Sequence, residues 1–339
     1  MQATNALEVT VVGAGIFGLW QAFEFARRGH RVQLFEALPE ASSGGASRFA
    51  GAMLAPYCEE EGAEPVVREL GLSAMALWRE AYPDVTTNGT LVLAAPRDRS
   101  EMVRFARMTR GHATIDATRL GELEPDLGGR FQSALDYAEE AHVSPRLAIR
   151  FLIGELRRLG ANLNFGAAIP DPIWRVASAG GVVIDCRGLA ARQDLLDLRG
   201  VRGEMAVVRS RDVRLSRPVR LLHPRFPLYV VPWGDDQYMV GATVIEREDG
   251  APVTVRSALD LLGTAFALHP GFGEAEIVEL SAGVRPAFSD NVPKVVVKGR
   301  RLLVNGAYRH GYLLAPALAR IAADFLETGA RYEGIVVDG

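Results

Sequence analysis

Cysteine is scarce in this chain. Of its 339 residues only Cys58 and Cys186 are cysteines, and they stand far apart. Two distant thiols build neither a disulfide framework nor a zinc cluster, and they fit a reducing cytoplasm. Lysine is as rare: of 38 basic residues only Lys294 and Lys298 are lysines. Arginine supplies the rest, a bias that makes any single arginine weak evidence of a carboxylate site. Long apolar runs are missing too. The longest uncharged run near the start lies between Glu8 and Glu24 and holds a glycine turn. It falls short of the roughly 20 apolar residues of a spanning helix. No basic residue precedes Glu8, so the n-region of a secretory signal is absent. The expected location is the cytoplasm, away from membranes. A net charge of -3 gives no reason to expect a nucleic-acid partner. His30, His112, His142, His223 and His269 show no metal-ligand spacing, and HExxH, GxSxG and P-loop patterns are absent. Hydrolase, ATPase and metal-site readings fall away on that ground.

What is present suits a globular enzyme. Hydrophobic residues make up 48% and charged residues 23%, and at roughly 150 residues per domain the length suggests two domains. Val9 to Val12 is a short β-branched run, the pattern of a buried parallel strand. It enters Gly13-Ala14-Gly15-Ile16-Phe17-Gly18, a G-x-G-x-x-G turn. A helical stretch from Leu19 to Arg28 follows and stops at Gly29, and Arg31 to Phe35 reads as a second strand closed by Glu36. Each part has a task. Gly13 permits the tight turn, Gly15 admits a pyrophosphate to the backbone, and Gly18 lets helix and strand touch. The helix N-terminus offers free N–H groups, and Glu36 can accept from ribose hydroxyls. Strand, glycines, helix, strand and acid together predict a bound dinucleotide. They do not separate FAD from NAD. No second such fingerprint occurs, so one dinucleotide is expected.

The segment after the second strand, from Ala41 to Pro56, is rich in small residues, which let backbone approach a flat ring closely. Phe49, Met53 and Leu54 within it are apolar, which a solvated loop does not need.

Here a resemblance enters. The stretch Val11 to Gly18, the loop Ala46-Ser47-Arg48 with Gly51-Ala52-Met53-Leu54, and a C-terminal block resemble the D-amino-acid oxidase superfamily of flavoproteins. The C-terminal block is Gly283-Val284-Arg285-Pro286 followed by Asn305 to Ala317 with Arg309-His310-Gly311-Tyr312-Leu313-Leu314. Arg202 to Met205, Tyr229 to Pro232 and Val240 to Thr243 match in order between them. Within the superfamily the chain is most similar to the glycine oxidases of thiamine biosynthesis (ThiO-type).

The resemblance implies an α/β Rossmann-type FAD-binding domain interleaved with a β-rich, antiparallel-sheet substrate domain. On that template residues 1–82, 141–198 and 276–339 form the discontinuous FAD-binding domain, and 83–140 and 199–275 the substrate domain. Helices are expected from Ser73 to Tyr82 with Ser73 as N-cap, from Pro145 to about Leu159, and from Pro316 to Glu327. Strands are expected at Thr90 to Ala94, Ala161 to Phe165, Val182 to Cys186, Met205 to Arg209, Leu228 to Val231, Tyr238 to Val240 and Leu302 to Val304. A turn is expected at Gly234-Asp235-Asp236.

The same likeness implies residue roles. FAD is to be held without a covalent bond by Gly13, Gly15, Ile16, Phe17, Gly18, Glu36, Ala46, Ser47, Arg48, Gly51, Ala52, Met53, Ala168, Gly188, Arg309, His310, Gly311, Tyr312, Leu313 and Leu314. Arg285 is to bind the substrate carboxylate, with Tyr229 sharing that role and Arg309 as a second arginine. Met53 is to cover the pocket, with Val244 on the same wall, and His310 is a flavin-edge residue rather than a base. The activity implied is oxidation of glycine through an imine to glyoxylate and ammonia, with oxygen reduced to hydrogen peroxide. Another small amine (sarcosine, D-proline or a D-amino acid) remains open, as does a flavin-binding regulator without turnover. A small amino acid and oxygen are the expected partners. Hand-off of the imine to a thiazole synthase and assembly into a homo-oligomer stay open.

Overall fold

The computed structural model describes residues 6–41, 44–167, 181–224 and 227–339. One sheet is built from three distant stretches of chain. Its strands are β1 (Glu8–Val12), β2 (Arg31–Glu36), β8 (Asn162–Phe165), β9 (Val182–Asp185), β15 (Lys294–Lys298), β16 (Arg301–Asn305) and β17 (Val336–Asp338). They lie in the order β17-β15-β16-β9-β1-β2-β8. Every pair is parallel except the hairpin β15–β16. β1 is buried from Val9 to Val12 because it sits between β9 and β2 with helices over the sheet. The helices of this layer are α1 (Ile16–Arg27), α2 (Pro65–Ala81), α5 (Pro145–Arg158) and α7 (Gly311–Thr328). Their apolar faces join the strands in one core around Leu19, Trp20, Trp78, Leu152 and Leu318. Trp20 meets Trp78 edge to face at 4.7 Å.

The second sheet carries β4 (Thr90–Ala94), β5 (Ala113–Asp116), β6 (Ser133–Tyr137), β10 (Arg199–Arg209), β11 (Val219–Leu222), β12 (Leu228–Gly234), β13 (Gln237–Gly241) and β14 (Glu276–Ala287). Its order is β14-β10-β13-β12-β11-β4-β6-β5. It is antiparallel except that β4 and β11 run parallel, because they come from separate passes of the chain. The period of two decides what each face meets. Ala206, Val208, Leu228, Val230, Tyr238 and Val240 face a core shared with α6 (Val255–Leu268) and α4 (Ala117–Leu123). Met205, Val207, Tyr229, Val231, Trp233 and Met239 face the other way, toward the loop with Phe49 and Met53. A short pair, β3 (Met53–Leu54) with β7 (Ala141–His142), and α3 (Arg99–Met108) fill the junction.

Several expected boundaries move. β14 is paired with β10 from end to end, so residues 276–287, expected with the first sheet, belong to the second sheet. Ser73 is no N-cap: α2 starts at Pro65 in its first turn, and the Ser73 hydroxyl donates back to the Leu70 carbonyl at 2.8 Å. The last helix starts at Gly311, five residues before Pro316. Pro316 has no N–H for the carbonyl of Tyr312, and Trp78 Nε1 donates to that oxygen instead at 2.7 Å. The hairpin turn falls where expected, with Asp235 and Asp236 at φ 52° and 57°.

Candidate active site

The glycine turn after β1 is shaped by two close approaches. Gly13 has φ 95°, and a Cβ there would lie 2.7 Å from the Cys186 carbonyl oxygen. A Cβ on Gly18 would overlap the carbonyl oxygen of Gly13. Larger residues would therefore push β1, α1 and the 186–187 loop apart. Ile16, Phe17 and Gly18 are already helical, so the last half of the motif is the first turn of α1 and its N–H groups point out of the turn. Glu36 ends β2 beside it. Its carboxylate accepts from Ala14 N–H at 2.7 Å and from Leu38 N–H at 3.0 Å. Ser47 Oγ accepts from Ile16 N–H at 3.1 Å, which draws the single turn Ala46–Phe49 over the helix start.

A second helix N-terminus converges on the same place. A Cβ on Gly311 at the start of α7 would touch Ile16 at 3.5 Å, and the Tyr312 hydroxyl donates to the Ser47 carbonyl at 3.0 Å. Two helix dipoles thus aim positive ends into one cleft. Gly188 closes a third side, its carbonyl held by Asn305 Nδ2 at 2.9 Å. Leu313 and Leu314 pack into the core behind that first turn. Arg48 stays half-buried and adds its charge to Glu279. There burial raises the carboxyl, while hydrogen bonds from Ser281 and Arg146 together with Arg48 bring it below its ordinary range. Ala168 lies outside the described residues. The glycine cradle, Glu36 at the end of β2 beside it and the converging N-termini fit the pyrophosphate and ribose of a dinucleotide. These residues would hold the FAD expected from the sequence.

The residues expected to bind substrate gather on the inner face of the second sheet. Tyr229 on β12 lies opposite Gly241 of β13 and Arg220 of β11. A Cβ on Gly51 would come within 2.9 Å of the Tyr229 ring, so the 51–53 segment passes directly under it. Ala52 and Tyr308 are held in the left-handed region at φ 53° and 50°. They immediately precede Met53 and Arg309, and such strain is commonly kept at functional sites. Met53, Tyr229 and Ala242 pack against the same buried cluster of Met205, Val207, Val231, Trp233 and Met239. Arg285, near the end of β14, donates to the Thr243 carbonyl at 3.3 Å. Val244 stands apart from this apolar cluster and is 51% exposed.

One group the sequence did not reveal organises the far wall. Glu59 is buried and pairs with Arg220, with Arg309 Nε at 2.8 Å and with His310 Nδ1 at 3.2 Å. Burial pushes its carboxyl up, but Arg309, Arg220 and His310 outweigh that and hold it well below the usual carboxylate range. The same burial lowers His310 to about 4, with Arg309, Arg220 and Arg285 opposing the pull of Glu59. His310 is therefore neutral at pH 7. Glu59 stands in the acidic run Glu59-Glu60-Glu61, which reads as a solvated surface. Arg220 is hidden by the abundance of arginine. Its one signal is a charge inside the apolar strand Val219–Leu222.

A Rossmann sheet with a double helix-terminus cradle, faced by a second sheet across a shared cleft, defines a two-domain dinucleotide-binding protein. The family model described as DAO, FAD dependent oxidoreductase, matches residues 8–325. The chain belongs to this family and is an FAD-dependent oxidoreductase of D-amino-acid oxidase fold. It is 48% identical over 314 residues to a putative thiamine biosynthesis oxidoreductase ThiO of Rhizobium etli, covering 92% of this chain and 94% of that protein. A bifunctional ThiO/ThiG protein of Trichormus variabilis is 26% identical over 351 residues, 94% of this chain and 52% of the relative. A glycine oxidase of Geobacillus kaustophilus is 27% identical over 368 residues, 96% of this chain and 94% of the relative. A crystal structure of glycine oxidase from Geobacillus kaustophilus has the same fold, with a TM-score of 0.80, 24% identity and 97% and 96% of the two chains covered. Among the described residues no helix is long and apolar enough to cross a membrane.

Proposed function

We propose that the enzyme oxidises glycine to its imine, which water converts to glyoxylate and ammonia while oxygen becomes hydrogen peroxide. The observation that carries this reading is Arg285. Its guanidinium lies over β10 on the inner sheet face and donates to the Thr243 carbonyl, with Gly241 on the next strand, β13, and Tyr229 on the one after, β12. A guanidinium fork of this kind holds a carboxylate with two parallel hydrogen bonds. Tyr229 offers a hydroxyl to the same carboxylate, and Met53 covers the space beyond Cα. An added side chain must displace that packing, at a typical cost of about 1–3 kcal/mol. Bound FAD would supply the acceptor for the hydride lost from Cα and the route of its electrons to oxygen.

The chain's own groups leave proton removal to the substrate. Glu59 is locked in ion pairs and His310 is neutral and buried. Neither serves as a base for the amine, so the amine must arrive without its proton. The names of the ThiO relatives support a place in thiamine biosynthesis, where the imine would pass to a thiazole synthase. Fusion of ThiO to ThiG in one relative supports such a hand-off. Two buried free thiols, Cys58 and Cys186, suit the reducing cytoplasm.

Anaerobic stopped-flow bleaching of the flavin by glycine, sarcosine, D-alanine, D-proline and D-phenylalanine tests the reading. Glycine or sarcosine should reduce the flavin fastest, at a rate that climbs with pH until the amine is fully deprotonated. Fastest reduction by D-phenylalanine would overturn the small-substrate assignment, and a rate flat in pH would overturn the neutral-amine mechanism.

A further inference from the structure

We infer that Gly203 is a positioning residue for substrate binding: the bare backbone at this position is the shelf that sets the height of the Arg285 guanidinium. The inference deepens the proposed function and rests on Arg285 being the carboxylate clamp. On the paired strands β10 and β14, Arg285 stands opposite Val201 and Gly203 opposite Gly283. Gly203 is therefore the diagonal neighbour of Arg285 on one sheet face, within reach of a long side chain. The Arg285 side chain leans along the strand and lies flat on it. A Cβ built on Gly203 would overlap Cζ, Nη1 and Nη2 of Arg285 at once.

The other fixing point is the Thr243 carbonyl, which accepts from Arg285 Nη1 at 3.3 Å. Thr243 is itself pinned to β10. Its N–H donates to the Glu204 carbonyl at 3.1 Å, and its Oγ1 accepts from Glu204 N–H at 2.9 Å. The residues on either side of Gly203 on this face are Val201 and Met205, both fully apolar. Gly203 thus interrupts an apolar row where a flat cation must lie. Any side chain there would lift the guanidinium away from the sheet and toward the substrate, out of line with Tyr229.

What the extra atom would meet also decides the consequence for stability. It meets the far end of a flexible side chain, not backbone, so the strand can keep its pairing while the arginine moves. The retreat needed to restore van der Waals separation is about 1 Å or more. A misplacement of that size at a reacting group costs up to about 100-fold.

The test is a double-mutant cycle on the FAD-loaded enzyme with G203A, R285A and both together. Glycine KM and kcat are measured for each, with acetate binding followed through the flavin spectrum as a carboxylate-only probe. G203A should weaken acetate and raise KM by roughly tenfold or more, with the flavin spectrum retained. Added to R285A it should change neither by more than about twofold, because the room is then vacant. Should G203A alone fail to fold, binding of FAD by the double variant still supports the clash, whereas misfolding of both overturns it. Unchanged kinetics in G203A beside a defective R285A overturns the shelf, as does a fully additive double variant. An R285A enzyme that binds acetate and glycine normally overturns the clamp itself, and the shelf with it.

Discussion

Glu140 shows how far burial alone can move a group in this protein. It is wholly buried behind the substrate side, with one oxygen accepting from the Cys58 N–H at 2.8 Å. Burial is the largest influence and raises it to about 7, against the lowering effects of the Cys58 backbone, Arg220 and Thr90. The sign follows from the two states. Below the unfolded value of 4.5 both states carry the proton, and the group does not alter stability. Between 4.5 and about 7 the unfolded chain loses its proton while the folded chain keeps it, so stability falls as pH rises through that window. Glu140→Gln keeps an acceptor and removes the titration. Denaturant melts should show the variant gaining on the parent from pH 5 to pH 8 by about 2 kcal/mol. A gap that stays constant across that range would show Glu140 ionising normally. Comparing variant with parent cancels the opposing contribution of His310, whose neutral folded form costs stability as pH falls below 6.5.

Among the elements, α7 like α2 has a start that the sequence misplaces, and for α7 the reason is physical. Proline is most at home in the first turn of a helix, which points to Pro316 as the beginning. The helix instead tolerates Pro316 in its second turn because Trp78 supplies the missing donor to Tyr312. That compensation comes from a residue over 200 positions away, which no local pattern can disclose. Trp78→Phe should leave a buried carbonyl unpaired and cost about 1–3 kcal/mol in addition to any loss of packing. Pro316→Ala restores a backbone donor, so the double variant should recover part of the loss in thermal melts. Equal destabilisation with and without Pro316 would remove the compensation. The β1-turn-α1-β2 unit, by contrast, was legible almost residue by residue, because strand period, glycine spacing and acid all act within forty positions. Arg285 and Tyr229 stand out in the sequence only through resemblance, and their roles are proposals. Glu59, Arg220, Gly203 and Trp78 acquire their roles from partners on other elements.

For the molecule as one object, the two sheets meet over a cofactor cleft whose walls are tertiary. The cofactor should come away intact. Cys58 and Cys186 are buried, and burial pushes both thiols well above their ordinary value, so neither is a ready nucleophile toward a flavin. Purified protein should be yellow, and acid precipitation should leave FAD in the supernatant. Flavin that stays with the pellet would reveal a covalent link.

The order of β9, β1 and β16 within the first sheet has a consequence for synthesis on the ribosome. β16 shields β9, and β15 and β17 lie beyond it, yet all three are drawn from residues 294–338. A nascent chain that has not yet released that stretch exposes the apolar edge of β9 and lacks the α7 terminus of the cleft. Long-range pairing of this kind slows folding and leaves sticky edges open meanwhile. FAD capture is thereby deferred until residues 294–338 have emerged, and chains halted before residue 294 should be substrates for chaperones and proteases rather than half-assembled flavoproteins.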